Sequence, residues 1–191
     1  MWLALDTATD RATLAVGMPG RILAHETIVG ARNHAAALLP ALAACLTRAE
    51  LGREQIEGIA LADGPGSFTG LRVSAALVKA LVRVRRVPVW SAPSLLVCAA
   101  ARLENGVVLS VSNALRGELF AAAYAFHPGR VETVLAPTVI TPKDLALKVP
   151  KPARIVGPAA PTLGAEPTWP DAADLLGLIG LAGGVRAVED V

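Results

Sequence analysis

The sequence predicts an α/β fold of two lobes, the first running βββαβαβ around a mixed sheet, and three observations predict it. Three short apolar segments, Trp2–Asp6, Ala12–Met18 and Arg21–Val29, follow one another with tight turns between them, the pattern of an antiparallel meander. Two long helical patterns, 34 to about 50 and 68 to 86, then alternate with apolar runs at 56–62 and 87–90. Between the run at 56–62 and the second helix stands Gly64-Pro65-Gly66-Ser67, a turn whose glycines tolerate positive φ and whose proline presets its own. A meander followed by alternating helix and strand is the opening half of an actin-like or ribonuclease-H-like (ASKHA) domain.

Taken in order, Thr7–Arg11 makes the first turn, and Pro19-Gly20 the hairpin between the second and third strands. Asn33 caps the first helix, which runs from His34 to about Glu50 and stops at Gly52. Pro40 inside it removes one backbone donor and predicts a kink. Ser67 caps the second helix. Residues 1–93 form the first lobe and 94–191 a smaller, degenerate second lobe. There the pattern gives a helix at 93–104 and strands at 106–112, 118–126 and 131–140, the last two joined at His127-Pro128-Gly129. Thr141-Pro142 opens a short helix, with proline at its first position. A strand at 153–156 and a proline-rich loop at 157–170 follow, then a helix at 171–183 weakened by Gly177 and Gly180.

With 191 residues, 53% of them hydrophobic, 18% charged and a mean hydropathy of +0.51, the chain is too apolar for disorder and greasy for a monomer. A face covered by a partner is the physical remedy. The longest uncharged apolar run, 35–46, is too short to cross a bilayer, and an early Asp6 after a strand pattern does not suit a signal peptide. Cys45 and Cys98 fall in helical patterns as reduced core thiols, so the expected location is cytoplasmic. A net charge of +2 makes no electrostatic case for nucleic acid.

The two first-lobe helices are apolar nearly all round. An ordinary surface helix shows a polar face, yet 35–46 carries no charge, and the second helix confines Arg72, Lys79, Arg83 and Arg86 to one stripe. One sheet covers only one side of each helix. The other side meets either a second chain or the second half of this one; the greasy composition favours the second chain. The candidate interface residues are His34, Leu38, Leu39, Leu42, Leu46, Phe68, Leu71, Arg72, Leu77 and Leu81. The basic stripe reads first as a solvated helix edge helped by the C-terminal dipole, and second as a contact for RNA phosphate.

Reactive chemistry is sparse. His25, His34 and His127 are far apart, no metal-binding spacing occurs, and neither cysteine has a base beside it. The glycine turn suits either an anion or the close approach of another backbone. Asp6, Thr7, Gly64, Gly66 and Ser67 are the candidate nucleotide or anion ligands. Asp6 has two readings, a magnesium–nucleotide group or a structural strand end. Asn113 stands where an actin-like ATPase would carry its second aspartate, and an amide is a poorer magnesium ligand and no base.

Leu3-Ala-Leu-Asp-Thr-Ala-Thr9, Asn33-His-Ala-Ala-Ala-Leu-Leu-Pro40 and above all Gly64-Pro-Gly-Ser-Phe-Thr-Gly-Leu-Arg72 resemble the TsaB (YeaZ) family. Ser94-Leu95 and the stretch 113–120 match more loosely, so the resemblance covers about residues 1–126. It implies a non-catalytic actin-like subunit that pairs, through its two first-lobe helices, with a TsaD-like catalytic subunit bearing the metal ligands. With a TsaE-like ATPase the pair places a threonylcarbamoyl group on adenosine 37 of tRNA, and tRNA is met through the complex. It also implies a homodimer when the partner is absent, no required cofactor, and ATP or ADP at most at a subunit junction. The family's peptidase label (M22 glycoprotease-like) finds no nucleophile–base pair here. Asn113-Ala114-Leu115 departs from the family's Asp-Ala-Arg, and the chain stops at Val191 where many members continue into a Pro-x-Tyr-Leu-Arg-like tail. The competing reading is an actin-like ATP-binding phosphotransferase or ATPase using Asp6 and the turn at 64–70.

Overall fold

A computed structural model describes residues 1–30, 34–101, 105–149 and 153–189. The Asn33 cap and the end of the helix expected at 93–104 lie outside the described residues, as does the His34 side chain. Ten strands and five helices are described: β1 Trp2–Asp6, β2 Arg11–Met18, β3 Arg21–Val29, α1 His34–Arg48, β4 Gly58–Ala62, α2 Phe68–Arg85, β5 Val89–Ala92, α3 Ser94–Ala100, β6 Gly106–Asn113, β7 Leu119–His127, β8 Arg130–Ile140, α4 Pro142–Lys148, β9 Arg154–Val156, α5 Ala172–Leu178 and β10 Arg186–Ala187. The order through β5 is βββαβαβ, as expected.

The strands form two mixed sheets, one ordered β10-β5-β4-β1-β2-β3 and the other β8-β7-β6-β9. In the first, β1 runs antiparallel to β2 and parallel to β4, and β4 runs parallel to β5. The layers follow from residue size on alternate positions, since successive strand side chains point to opposite faces. Leu3 and Leu5 of β1, Leu14 and Val16 of β2 and Ile59 of β4 pack toward α1 and α2. Ala4, Ala15, Ala60 and Ala62 point the other way, and that small-residue face admits α3 and α5 closely. The same two helices receive Val108, Ala122, Tyr124 and Phe126 from the second sheet. The far face of that sheet, with Leu109, Val111 and Leu119, is closed by Leu145 of α4 and by the 3₁₀ turn Ala160–Leu163.

Several elements differ from expectation, each for a local reason. The strand placed at 56–62 begins only at Gly58, because 53–55 close a 3₁₀ turn. The strand placed at 87–90 begins at Val89: Pro88 has no N–H to give a ladder and contributes only its carbonyl, to Ile59 N–H at 3.0 Å. Strand β8 tolerates Pro137 because it is a sheet edge and the ladder to β7 shifts there, from Ala121↔Thr138 to Ala123↔Leu135. Helix α5 stops at Leu178 rather than 183, and the tail beyond it returns as β10, antiparallel to β5.

Candidate functional site

The glycine turn is built by close approach of two backbones. Gly64 takes φ +102°, its peptide bond to Pro65 is cis, and its N–H donates to Ser94 Oγ at 3.1 Å. Ser67 N–H donates to the Ala8 carbonyl at 2.7 Å, and Ser67 Oγ accepts from Gly70 N–H at 3.2 Å as the cap of α2. Thr7 Oγ1 donates to the Gly70 carbonyl at 2.8 Å and sits 2.8 Å from the Ser74 hydroxyl. A Cβ on Gly66 would stand 2.3 Å from the Ala8 oxygen, and one on Gly70 1.9 Å from the Thr7 oxygen. The spacing of Gly66 and Gly70 therefore matches the β1–β2 turn lying against them. Three N–H groups that an anion would want, those of Gly64, Ser67 and Gly70, are already used within the chain.

Asp6 ends β1 at the centre of this contact and is fully buried. Its Oδ1 accepts from Ala8 N–H at 2.9 Å, while Oδ2 has no hydrogen-bond partner. Burial pushes its carboxyl up to about 7, against the Ala8 hydrogen bond. Beside the turn, Ala8, Thr9, Pro65, Ser94, Cys98 and Ser110 line a space of about 10 Å³, room for roughly one water molecule. A nucleotide there requires the turn and α3 to separate. Cys45 and Cys98 are buried and their thiols are pushed up to about 11 by desolvation, so neither is poised as a nucleophile. No group of histidine, cysteine and carboxylate able to hold a metal occurs among the described residues. Asn113 ends β6, and Leu115 beyond it is exposed in the turn to β7.

The Asp6 shift makes a pH prediction. In the unfolded chain the carboxyl loses its proton near its ordinary 3.8, whereas in the folded chain it holds it to about 7. The folded state binds more protons at this carboxyl across that window, so the stability linked to Asp6 is highest below about 4, falls as pH rises toward about 7, and is flat above. Asp6→Asn keeps an acceptor for Ala8 and removes the ionisation. Urea melts are expected to coincide at pH 4 and to show the variant more stable at pH 8, by at most ~4 kcal/mol. A variant less stable at pH 8 would mean that the ionised carboxylate is needed.

The candidate pairing residues divide by depth. Leu38, Leu42 and Leu77, at 2%, 6% and 9% exposure, belong to the core beneath α1 and α2. Leu39 and Phe68 face outward at 61% and 73%, and the Arg72 guanidinium lies over the Phe68 ring at 5.2 Å. Leu46, Leu71 and Leu81 are half-buried. The outward side of α1 is Ala35, Ala36, Leu39, Pro40, Ala43 and Ala44, without a charge until Arg48. Arg72, Lys79, Arg83 and Arg86 are all exposed. Among the described residues the second half of the chain therefore does not cover this side. That depth was not legible in the sequence, because apolar residues stand on both sides of each helix.

No helix among the described residues is long and apolar enough to cross a membrane. Residues 21–163 match the family described as TsaD: tRNA N6-adenosine threonylcarbamoyltransferase. The protein named tRNA threonylcarbamoyladenosine biosynthesis protein TsaB from Bacillus subtilis is 28% identical over 134 residues, 70% of this chain and 58% of its own length. Its namesake from Escherichia coli is 31% identical over 147 residues, 72% of this chain and 63% of its own length. The chain thus spans about three fifths of the curated relatives it matches. The solved structure of YeaZ from Pseudomonas aeruginosa superposes with a TM-score of 0.80 at 27% identity, covering 94% of this chain and 90% of that one. The two-sheet architecture is therefore the expected actin-like fold. With the turn at 64–72 intact, the fold shared with YeaZ and a family match over well more than half of its length, the chain belongs to the TsaB (YeaZ) family.

Proposed function

We propose that this chain is a non-catalytic pairing subunit in the threonylcarbamoylation of adenosine 37 of tRNA. The observation that carries the reading is the uncharged outward side of α1 together with exposed Phe68 and Arg72, on a chain whose buried thiols and buried Asp6 carboxyl form no reaction centre among the described residues. The relatives' name, tRNA threonylcarbamoyladenosine biosynthesis protein TsaB, supports the pathway. The first lobe, 1–93, carries the pairing face: Leu39, Phe68 and Arg72 make contact, Leu46, Leu71 and Leu81 flank them, and Leu38, Leu42 and Leu77 hold the helices beneath, with His34 at the start of α1. The partner is a TsaD-like catalytic subunit, a TsaE-like ATPase joins the pair, and two copies of this chain pair when the catalytic subunit is absent. The chain needs no cofactor of its own, ATP or ADP sits at most at a subunit junction, tRNA is met through the complex, and the work is done in the cytoplasm.

Depletion of this chain in its source cell, followed by mass spectrometry of tRNA nucleosides, tests the reading. Loss of threonylcarbamoyladenosine is expected, restored by the natural sequence and not by Phe68→Glu. Unchanged nucleoside levels would overturn it. In the ATPase or phosphotransferase reading, Asp6 and the turn at 64–70 would bind nucleotide, but three of the turn's donors are already occupied and the adjoining space holds about one water. Magnesium-dependent turnover by the purified chain, lost in Asp6→Asn, would revive it.

A further inference from the structure

The outward crest of α2 is basic along most of its length. With about 100° of turn per residue, Phe68, Arg72, Lys79 and Arg83 fall within a stripe roughly 60° wide, and Arg86 follows at the C-cap. The stripe lies opposite the buried Gly70, Ser74, Leu77 and Val78. From Arg72 to Arg83 it extends about 16 Å along the axis. Arg72, Lys79, Arg83 and Arg86 are all exposed, α2 contains no Asp or Glu, and none of these cations forms an ion pair among the described residues. Arg72 meets only the Phe68 ring. Elsewhere exposed arginines do find carboxylates: Arg48 pairs with Glu26, Arg130 with Glu132 and Arg186 with Asp63.

Both long helices pack on the same face of the first sheet, so their outward sides look the same way. One side is uncharged and apolar, with Leu39 of α1 and Val84 on the flank of α2 both exposed; the other is cationic. An RNA backbone would satisfy the cations and leave Leu39 and Val84 uncovered. A second copy of this chain would cover the apolar part. In a two-fold pair, however, the same patch meets itself, and the crest would face cations with no acid among them. Like charges opposed across an interface suppress that pairing. A protein surface that carries apolar groups and carboxylates together satisfies both parts.

We propose that the α2 crest selects the catalytic partner over a second copy of this chain, by meeting an acidic face on that partner. The inference rests on the pairing function proposed above and adds the sign of the charge the partner must present. Carboxylates opposite Arg72, Lys79 and Arg83 attract in the mixed pair, and the same three positions repel in the self-pair. Salt screens both effects, with a Debye length of about 10 Å at 0.1 M and about 3 Å at 1 M. It therefore moves the two equilibria in opposite directions.

The test measures the affinity of the full chain for itself and for a TsaD-like chain from the same genome, in NaCl at about 0.1 M and about 1 M. On raising the salt, the mixed pair is expected to weaken about tenfold or more and the self-pair to tighten. At the lower salt, Lys79→Glu/Arg83→Glu should bind the catalytic chain at least about tenfold more weakly than the natural sequence does. The same variant should pair with the natural chain about tenfold more tightly than the natural chain pairs with itself. Both positions are exposed, so the fold should hold, and circular dichroism checks it. Salt that moves both equilibria the same way, or a reversed variant that binds the catalytic chain as tightly as the natural one, overturns the proposal. If Leu39→Glu abolishes pairing while the reversed crest leaves it unchanged, the pairing function stands and only this inference fails. A natural chain that pairs with neither removes both. Retention of single-stranded poly(U) by the natural chain and not by the reversed variant, with pairing unaltered, would reassign the crest to RNA phosphate and overturn the proposal. The salt comparison is read on the unaltered sequence, so it stands even where a variant misfolds.

Discussion

Gly70→Ala is expected to destabilise the chain by about 3 kcal/mol or more, the upper range for forcing extra volume into a packed site. The added methyl would stand 1.9 Å from the Thr7 carbonyl oxygen, and that oxygen belongs to the backbone of the turn after β1, which no rotamer change can move aside. Gly66→Ala, at 2.3 Å from the Ala8 oxygen, should behave alike. Gly180→Ala is the control, because its new Cβ meets nothing closer than 3.7 Å. In thermal melts, with roughly 2–4 °C per kcal/mol for a chain of this size, the turn variants should fall by about 6 °C or more and the control should hardly move. Retention of the natural melting temperature by Gly70→Ala would show that the turn does not need the backbone contact described here.

Phe68→Glu is expected to abolish pairing while leaving the fold intact. The ring is mostly exposed at the start of α2, so a carboxylate there stays hydrated in the monomer and costs the fold little. Against a partner the aromatic contact is lost and the carboxylate, even where Arg72 over the ring position pairs with it, must be stripped of water, so the loss should exceed about 100-fold in affinity. Leu39→Glu, on the outward side of α1, should act in the same way. Leu38→Glu, Leu42→Glu and Leu77→Glu are a different experiment: these side chains are buried in the core, and their variants should lose pairing only by losing the fold. Circular dichroism beside the binding measurement separates the two classes. Unaltered pairing by Phe68→Glu would place the interface elsewhere.

Most of the first lobe was legible in the sequence because its periodicities are local. The alternation in Leu3-Ala4-Leu5 fixes a strand, and the sizes of those residues even foretell which face takes the long helices. The apolar circumference of 35–46 predicted a helix covered on both sides, and in the chain alone its outward side, Leu39 included, is exposed. What could not be read is what depends on distant partners. Strand β10 is two residues, Arg186 and Ala187, placed by backbone pairing to β5 and by an Arg186–Asp63 ion pair at 2.6 Å, and so short a segment has no period. Helix α5 is anchored by Asp171, which caps Ala173 N–H and meets His25 Nε2 at 2.8 Å, and by Thr13 Oγ1, which accepts from Ala172 N–H at 2.9 Å. No local pattern joins residues so far apart in sequence. The glycine turn kept two readings in the sequence, anion cradle or backbone contact, and only the positions of the Thr7 and Ala8 carbonyls show the contact in place.

Sedimentation equilibrium of the purified chain at micromolar concentration, alone and with a TsaD-like chain from the same genome, tests the pairing face most directly. The natural sequence is expected to be a dimer alone and a heterodimer with that chain, while the double variant Leu39→Glu/Phe68→Glu stays a folded monomer in both. A natural sequence that remains monomeric in both conditions, or a double variant that associates as tightly as the natural one, would contradict it.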